Sequence, residues 1–524
     1  MSSQAPLDLA AIVELATSHR GARHTCRVVG EPLCGSLNRV VILKFDDGLQ
    51  WIFRTPRCDT TGRNLPPVVR VKLIASEVAT LNLLAHHTNI PVPQAVDHSC
   101  TNLNSVGAPY ILMTCAKGRS FAAYLRRMHE DGVRDFSQVT KKLMRQLGKI
   151  CFALSKVQFA TIGSVQEGSD AFGVGESLVP TFVLQGRHGI PVFRGPFLTE
   201  QNYYNGLIDA FFGHVKGLSL GHHFFLGPCP ERADYPDQTS YNTAVDRWND
   251  FVTIDDKIDG VDNRIHYHTA GKLIQDIVPD FSPPDGGHPA TGLAGFPLGH
   301  ADLCSSNIFV DDDCNITCII GWEFSSTMPF AQLLIPPAVP NKRRPPSSAD
   351  CAAFRAGLHD AARQANVVLP SIPGIVSDLL WHYMRWVNLD THCDFRHFEA
   401  LFKRHPEFSR LDPLFIIDEM QGRTDIREAR QRLMDGVRDP DEIRSDEDAY
   451  FALADDGEKQ RRVAEKLTDT FNLKRQILGA DFWMQTWSEV FADNEEEACC
   501  SGNSSWSGNS CCCSQPSEHS HSGL

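Results

Sequence analysis

Residues 300–323 constrain this chain more than any other stretch. Asn307-Ile308-Phe309-Val310 favours a strand, Asp311-Asp312-Asp313 an acidic turn, and Asn315-Ile316-Thr317-Cys318-Ile319-Ile320 a returning strand. Ahead of this hairpin lies His300-Ala301-Asp302-Leu303-Cys304-Ser305-Ser306-Asn307, and behind it Gly321-Trp322-Glu323. Closing the hairpin brings residue 321 out beside Asn307. Any fold of this chain therefore has to gather Asp302, Asn307 and residue 321 into one place.

The rest of the sequence supplies the frame. VVILKF (40–45) and LQWIFRTP (49–56) are strand-like and joined by Asp46-Asp47-Gly48, a hairpin turn. Gly30 to Asn38 reads as a glycine-containing turn ahead of them. In VVRVKLIASEVATLNLLAHH, Val71, Ile74, Val78, Leu81 and Leu84 recur at helical spacing. AVDHS and PYILMTCAKG read as two more strands. From residue 118 the pattern turns helical, with FAAYLRRMHEDG and SQVTKKLMRQLGKICFALSKVQF amphipathic. Within the glycine- and aromatic-rich region 164–290 only GPFLTEQNYYNGLIDAFFGHV and TAVDRWNDFVTIDDKI read as helices. After the proline-rich loop LIPPAVPNKRRPPSSAD the chain reads as mostly helix to about residue 493.

A chain of 524 residues with 42% hydrophobic and 22% charged residues can build real cores, which excludes a wholly disordered or fibrous protein and implies at least two lobes. Fifty basic against 64 acidic residues give −14, so no broad nucleic-acid surface is expected. No stretch approaches the roughly 20 apolar residues of a membrane span. The first 20 residues carry Asp8 and Glu14 within their apolar part and read as an opening helix rather than a signal peptide. A soluble, cytoplasmic protein is the expectation. Of 17 cysteines, five (Cys499, Cys500, Cys511, Cys512, Cys513) lie in a serine-rich tail, and the others are scattered without a Cys-x-x-Cys pair, as buried reduced thiols are. The tail reads as disordered; tail palmitoylation, or chelation with His519 and His521, are the alternatives to no role.

Phosphoryl transfer from a nucleotide needs a carboxylate to deprotonate the attacking hydroxyl, an oxygen ligand for a magnesium ion, and a second carboxylate for the metal at the β- and γ-phosphates. Asp302 and Asn307 suit the first two roles. The whole segment HADLCSSNIFVDDDCNITCIIGWE resembles the aminoglycoside phosphotransferase and choline-kinase-like family, in particular its fungal branch, whose pattern is His-x-Asp-Leu-x-x-x-Asn followed by two strands and Ile-Asp-Trp-Glu. Weaker motifs extend the resemblance in order over roughly residues 20–400. Arg54 falls where the family's strand residue approaches the nucleotide phosphates, and Glu77 where the small lobe's helix offers its pairing glutamate. Ile90-Pro91-Val92-Pro93 and the strand carrying Met113 match the approach to the hinge between lobes.

The resemblance implies an α+β, two-lobed protein-kinase-like fold. It divides into an N-terminal helix (1–19), a small antiparallel β lobe (20–117), a larger mostly helical lobe (118–400), a helical extension (401–494) and the tail (495–524). It implies ATP and magnesium as cofactors and a small-molecule hydroxyl or amine as acceptor. Asp302 would be the catalytic base; Arg54, Glu77 and Met113 would line the nucleotide; Asn307, with Glu323 in reserve, would hold the metal. Apart from the resemblance, Gly35 and Ser36 could approach phosphates through their backbone N–H groups, although the loop lacks the Gly-Lys-Ser/Thr ending of a P-loop. One departure stands out. The family's metal-binding aspartate falls at position 321, which is Gly321 here. On a strand, Glu323 would share the face of residue 321, displaced by about 6–7 Å. Two functions follow: an ATP-dependent phosphotransferase, or a catalytically degenerate binding or scaffold protein, a pseudokinase.

Plainer roles are available to each residue. Asp302 and Asn307 could form an Asx turn, Arg54 and Glu77 a surface ion pair, and Asp311-Asp312-Asp313 a solvated turn. His300 reads as a structural histidine bonding the loop backbone. His266 and His268 could share a strand face, but no third ligand lies nearby. Lys342-Arg343-Arg344 reads as a solvated turn before it reads as an import signal.

Overall fold

In a computed structural model of the chain, residues 7–21, 23–35, 37–57, 65–168, 171–218, 238, 261–281, 295–339, 345–369, 374–389, 394–404, 410 and 413–434 are described, all within the unit Met1–Val463. The segment 243–258, the basic triplet 342–344 and the cysteine-rich tail lie outside the described residues.

The small lobe is organised by strand alternation. Strands β1 (Cys26–Cys34), β2 (Asn38–Phe45), β3 (Gln50–Pro56), β4 (Ala95–Ser99) and β5 (Tyr110–Thr114) form one antiparallel sheet in the order β1-β2-β3-β5-β4. Val41, Leu43 and Phe45 of β2 and Trp51 and Phe53 of β3 are buried on one face, under helix α1 (Leu9–Arg20) through Ile12 and Ala16. The opening helix thus belongs to the small lobe's core. On the other face, Ile111 and Met113 of β5 pack against Ile74 and Val78 of helix α2 (Pro67–His87). Pro67, whose fixed φ suits a first turn, starts that helix. The turn expected between Gly30 and Asn38 is shorter: β1 runs on to Cys34, and an irregularity between Val29 and Leu33 takes up the extra residues.

The larger lobe is mostly helical. Strand β6 (Arg119–Ser120), helices α3 (Phe121–Glu130) and α4 (Ser137–Leu154), strands β7 (Gln158–Phe159), β8 (Val165–Glu167) and β9 (Phe172–Val174), and helices α5 (Pro180–Val183), α6 (Glu200–Gly217) and α7 (Val261–Phe281) come first. Then follow β10 (Phe296–Gly299), β11 (Ile308–Val310), β12 (Ile316–Ile319), a 3₁₀ turn over Trp322–Phe324, and β13 (Ser326–Thr327). Helices α8 (Phe330–Leu333), α9 (Ser348–Gln364), α10 (Gly374–Asn388), α11 (Asp394–Arg404), α12 (Pro413–Gln421) and α13 (Thr424–Met434) complete the described chain. The two-lobed, protein-kinase-like α+β arrangement is the one expected. Aromatic rings from several helices build the large core: Tyr267 of α7 stacks on Trp386 of α10 with centroids 5.4 Å apart, and the Tyr383 hydroxyl donates to the Tyr204 carbonyl at 2.7 Å. His266 and His268 lie on α7 rather than on a strand. Two residues apart on a helix they point in different directions, so they share no face.

Two features give measurable consequences. Helices α4 and α9 cross at glycines: a Cβ on Gly357 would lie 1.8 Å from the Arg145 carbonyl oxygen, and one on Gly148 would lie 2.1 Å from that of Phe354. Gly357→Ala should lower stability by about 1–3 kcal/mol in thermal or urea unfolding, whereas Gly189→Ala, with nothing within 4 Å, should change it little. Glu200, in the first turn of α6, is buried, and that burial pushes its carboxyl up to about 7, against the opposing effect of the Phe330 N–H it accepts. Between the ordinary 4.5 and 7 the folded state keeps a proton the unfolded chain has released, so stability falls as pH rises through that window. Glu200→Gln should be more stable than the unmodified protein at pH 8, by on the order of 3 kcal/mol, and the advantage should vanish at pH 4 in paired urea titrations.

Candidate active site

Strands hold the segment 300–307 at both ends. β10, buried throughout and flanked by β7 and β13, delivers the chain into His300; β11, flanked by β12 and β6, takes it away after Asn307. The buried His300 ring accepts from the Asp302 N–H at Nδ1 (2.9 Å) and donates from Nε2 to the Ile320 carbonyl (2.9 Å). Both nitrogens face backbone groups, and the ring meets Trp322 edge-on at 4.6 Å. His300 therefore ties the start of the loop to the exit of the hairpin. Asn307 Nδ2 donates to the Asp302 carbonyl (2.9 Å) and to Asp302 Oδ2 (3.1 Å), and the Cys304 thiol points at the same Oδ2 from 3.7 Å. Asp302 and Asn307 are thus brought together, with Asp302 half-buried and held by its neighbours.

Strand alternation also accounts for Arg54. Because Trp51 and Phe53 face α1, Ile52 and Arg54 face α2. One face of that helix presents Glu77, between Ser76 and Val78 and almost fully buried, and its carboxylate pairs with the Arg54 guanidinium. On β2, Val40 is paired with Arg54, and Asn38, two residues earlier, shares that face. Here a second carboxylate arrives from the large lobe. Glu323 Oε2 lies 3.2 Å from Arg54 Nη1 and accepts from Asn38 Nδ2 at 2.9 Å. Burial would lower the Arg54 pKa, but Glu77 and Glu323 outweigh it and hold it above its ordinary value. For Glu323, burial pushes the carboxyl up, Arg54 pulls it back, and the negative Glu77 and Asp302 add to the rise.

Residue 323 is not on a strand as expected. β12 ends at Ile319, Gly321 turns left-handed (φ 83°, ψ 39°), and the 3₁₀ turn over 322–324 swings the Glu323 side chain toward Arg54 and Asn38. A Cβ on Gly321 would lie 2.8 Å from Asn307 Nδ2 and 3.0 Å from its Cγ, so the Asn307 amide fills the space of the missing side chain. The residues present do not fit a magnesium site. Gly321 offers no side-chain oxygen and Glu323 is committed to Arg54 and Asn38, which leaves Asn307 Oδ1 and the Asp302 carboxylate without the second carboxylate expected at 321. Among the described residues, the group of three potential ligands within 4.8 Å of one another is His24, Asp46 and Asp47, at the small-lobe turn. There, His24 Nδ1 and Asp46 Oδ1 are already bonded at 2.9 Å.

The remaining candidates are spread out. The Gly35 N–H donates to the Asn38 carbonyl (2.8 Å) and its carbonyl accepts from Arg57 (2.9 Å), so its backbone is engaged in the turn. Ser36 lies outside the described residues. Met113 is buried between sheet and α2. Asn38 was not among the residues expected from the sequence, because its partner Glu323 lies 285 positions away. In the acidic hairpin turn Asp311 accepts from the backbone N–H groups of Asp313 and Asn315, and Asp312 pairs with Arg119.

No family model matches the chain. A 136-residue stretch is 30% identical to a subtelomeric hrmA-associated cluster protein of Aspergillus fumigatus, in two strains. The match takes in 26% of this chain and 24% of the relative, so the chain spans about a quarter of the length of the curated relatives it matches. Among solved structures, the macrolide 2'-phosphotransferase of Brachybacterium faecium, as apoenzyme, is 17% identical over 82% of this chain and 100% of its own, with a TM-score of 0.34. A spectinomycin phosphotransferase in complex with ADP and spectinomycin is 12% identical over 82% and 99%, with a TM-score of 0.36. An aminoglycoside phosphotransferase is 11% identical over 78% and 98%, with a TM-score of 0.37. The chain's own small-lobe strand order is β1-β2-β3-β5-β4, and 300–307 lies between β10 and β11.

The filled space at Gly321 makes a direct test. Gly321→Ala should destabilise the protein by roughly 1–3 kcal/mol in thermal unfolding, and Gly321→Asp at least as much. A neutral Gly321→Ala would show that Asn307 does not occupy that space.

Proposed function

We propose that this chain is a kinase-fold protein of the aminoglycoside-phosphotransferase type that binds ATP or another phosphorylated small molecule between its sheet and its catalytic-loop hairpin, without magnesium-dependent phosphoryl transfer. The single observation behind this reading is the fate of the metal position: Gly321 supplies no oxygen, the Asn307 amide fills its side-chain space, and Glu323 is turned onto Arg54 and Asn38. Removing the metal's charge from the phosphates takes away a dominant part of the stabilisation of the transferring group. The acceptor side keeps a hydroxyl- or amine-bearing small molecule as its natural ligand. Cys26, Cys100, Cys115, Cys151, Cys304, Cys314, Cys318 and Cys351 are free thiols, which supports a reducing, cytoplasmic setting, and the Aspergillus relatives support a fungal origin.

A second reading, an active phosphotransferase, is favoured by Asp302, whose carboxylate is steadied by Asn307 and Cys304. Asp302 would take the proton of the acceptor as its oxygen or nitrogen bonds to the γ-phosphorus and the bond to the β,γ-bridging oxygen breaks, releasing ADP. Incubation with γ-labelled ATP, magnesium and pools of hydroxyl- and amine-bearing acceptors separates the two. No label transfer above that of Asp302→Asn is expected. Magnesium-dependent transfer that Asp302→Asn abolishes would overturn the first reading in favour of the second.

A further inference from the structure

Arg54 carries one positive charge and meets two carboxylates, and the two are not equivalent. Glu77 stands in the middle of a 21-residue helix with its side chain 3% exposed. Glu323 stands on a three-residue turn entered through a left-handed glycine, with its side chain 20% exposed and its contact to Arg54 at 3.2 Å. Glu77 is the fixed counter-ion, built into the small lobe beside the arginine. Glu323 comes from the other lobe, 269 positions along the chain from Arg54 and 285 from Asn38, and is the one that can leave. A guanidinium and a primary amide converging on one carboxylate oxygen form a pair of donors suited to any small oxyanion. The guanidinium is already largely out of water, so exchanging one oxyanion for another does not add the cost of desolvating it.

We propose that Glu323 is a built-in occupant of an anion site made by Arg54 and Asn38, and that a phosphate group enters the cleft by displacing the Glu323 carboxylate, with no metal ion required. The inference rests on the reading of the cleft as a site for phosphorylated ligands and adds how entry is controlled. The carboxylate holds the donors in place and ties the small lobe to the turn after the hairpin when the site is empty. A phosphate that takes its place releases the turn over 322–324 from the small lobe. Lys72 with Glu176 and Asn82 with Glu167 also join α2 to the larger lobe, so loss of the Glu323 contact frees the turn without separating the lobes.

Calorimetric titration of the full chain in EDTA, with ATP and separately with inorganic pyrophosphate, tests this. Glu323→Gln, which keeps the size and removes the charge, and Glu323→Ala should bind both probes at least ten-fold more tightly than the unmodified protein. Adding Arg54→Gln to Glu323→Gln should abolish the gain. Equal ATP affinity in the unmodified protein and both Glu323 variants would overturn the competition and leave the nucleotide reading intact. Tightening toward pyrophosphate with no ATP binding would uphold the anion site and reject the nucleotide. Binding of neither probe by any form would overturn both. Should the variants not fold, hydrogen exchange on the unmodified chain decides. Amides in 321–325, including that of Ser325 bonded to the Trp322 carbonyl, should exchange faster with saturating pyrophosphate, and unchanged exchange would contradict the proposal.

Discussion

The Arg54 guanidinium between Glu77 and Glu323 is the contact on which the site depends. It joins three separate pieces of chain, strand β3, helix α2 and the turn after β12, and fixes where the hairpin exit sits against the sheet. A charge held this far from water is tolerable only with partners. Removing one carboxylate leaves the arginine paired with the other, whereas removing the arginine would leave two carboxylates, with Asp302 nearby, facing one another in a poorly solvated cleft. The geometry of the cleft is therefore set by an internal charge balance.

That balance keeps the site filled although position 321 carries no carboxylate. Where an aspartate would bring in a cation, the chain turns left-handed at a glycine and packs an amide from Asn307 into the space. The next carboxylate, Glu323, meets an arginine rather than a metal. The Asp302, Asn307 and His300 network is otherwise complete, since its bonds run to backbone groups and to each other. These residues hold a loop in shape whether or not chemistry takes place on it, so their presence is consistent with both functional readings.

Much of this was legible in the sequence because it depends on local periodicity. The alternation of Trp51, Phe53 and Thr55 against Ile52 and Arg54, the helical spacing around Glu77, and the strand-turn-strand of 307–320 each declare which face a residue takes. The pairing of Arg54 with Glu77 was implied by the resemblance, and those faces show why the two side chains meet. The position of Glu323 was not legible, because it depends on the sign of φ at one glycine, and glycine adopts either sign with little cost. On a strand, Glu323 would have shared the face of residue 321; the left-handed turn puts it against Arg54 and Asn38 instead. The role of Asn38 was hidden for a related reason: its partner lies in another lobe, and nothing local marks a contact across 285 positions. The aromatic core of Tyr204, Tyr267, Tyr383 and Trp386 was equally unreadable, since large rings packed between several helices follow no single period.

The cleft is proposed to bind its ligand without a metal. ATP affinity measured by calorimetry on the same preparation in excess magnesium and in EDTA tests it most directly. Equal affinity in the two buffers, or weaker binding in magnesium, is the result this account requires. Binding that is several-fold tighter in magnesium would contradict it, because it would mean that side chains other than Gly321 and Glu323 complete a metal site.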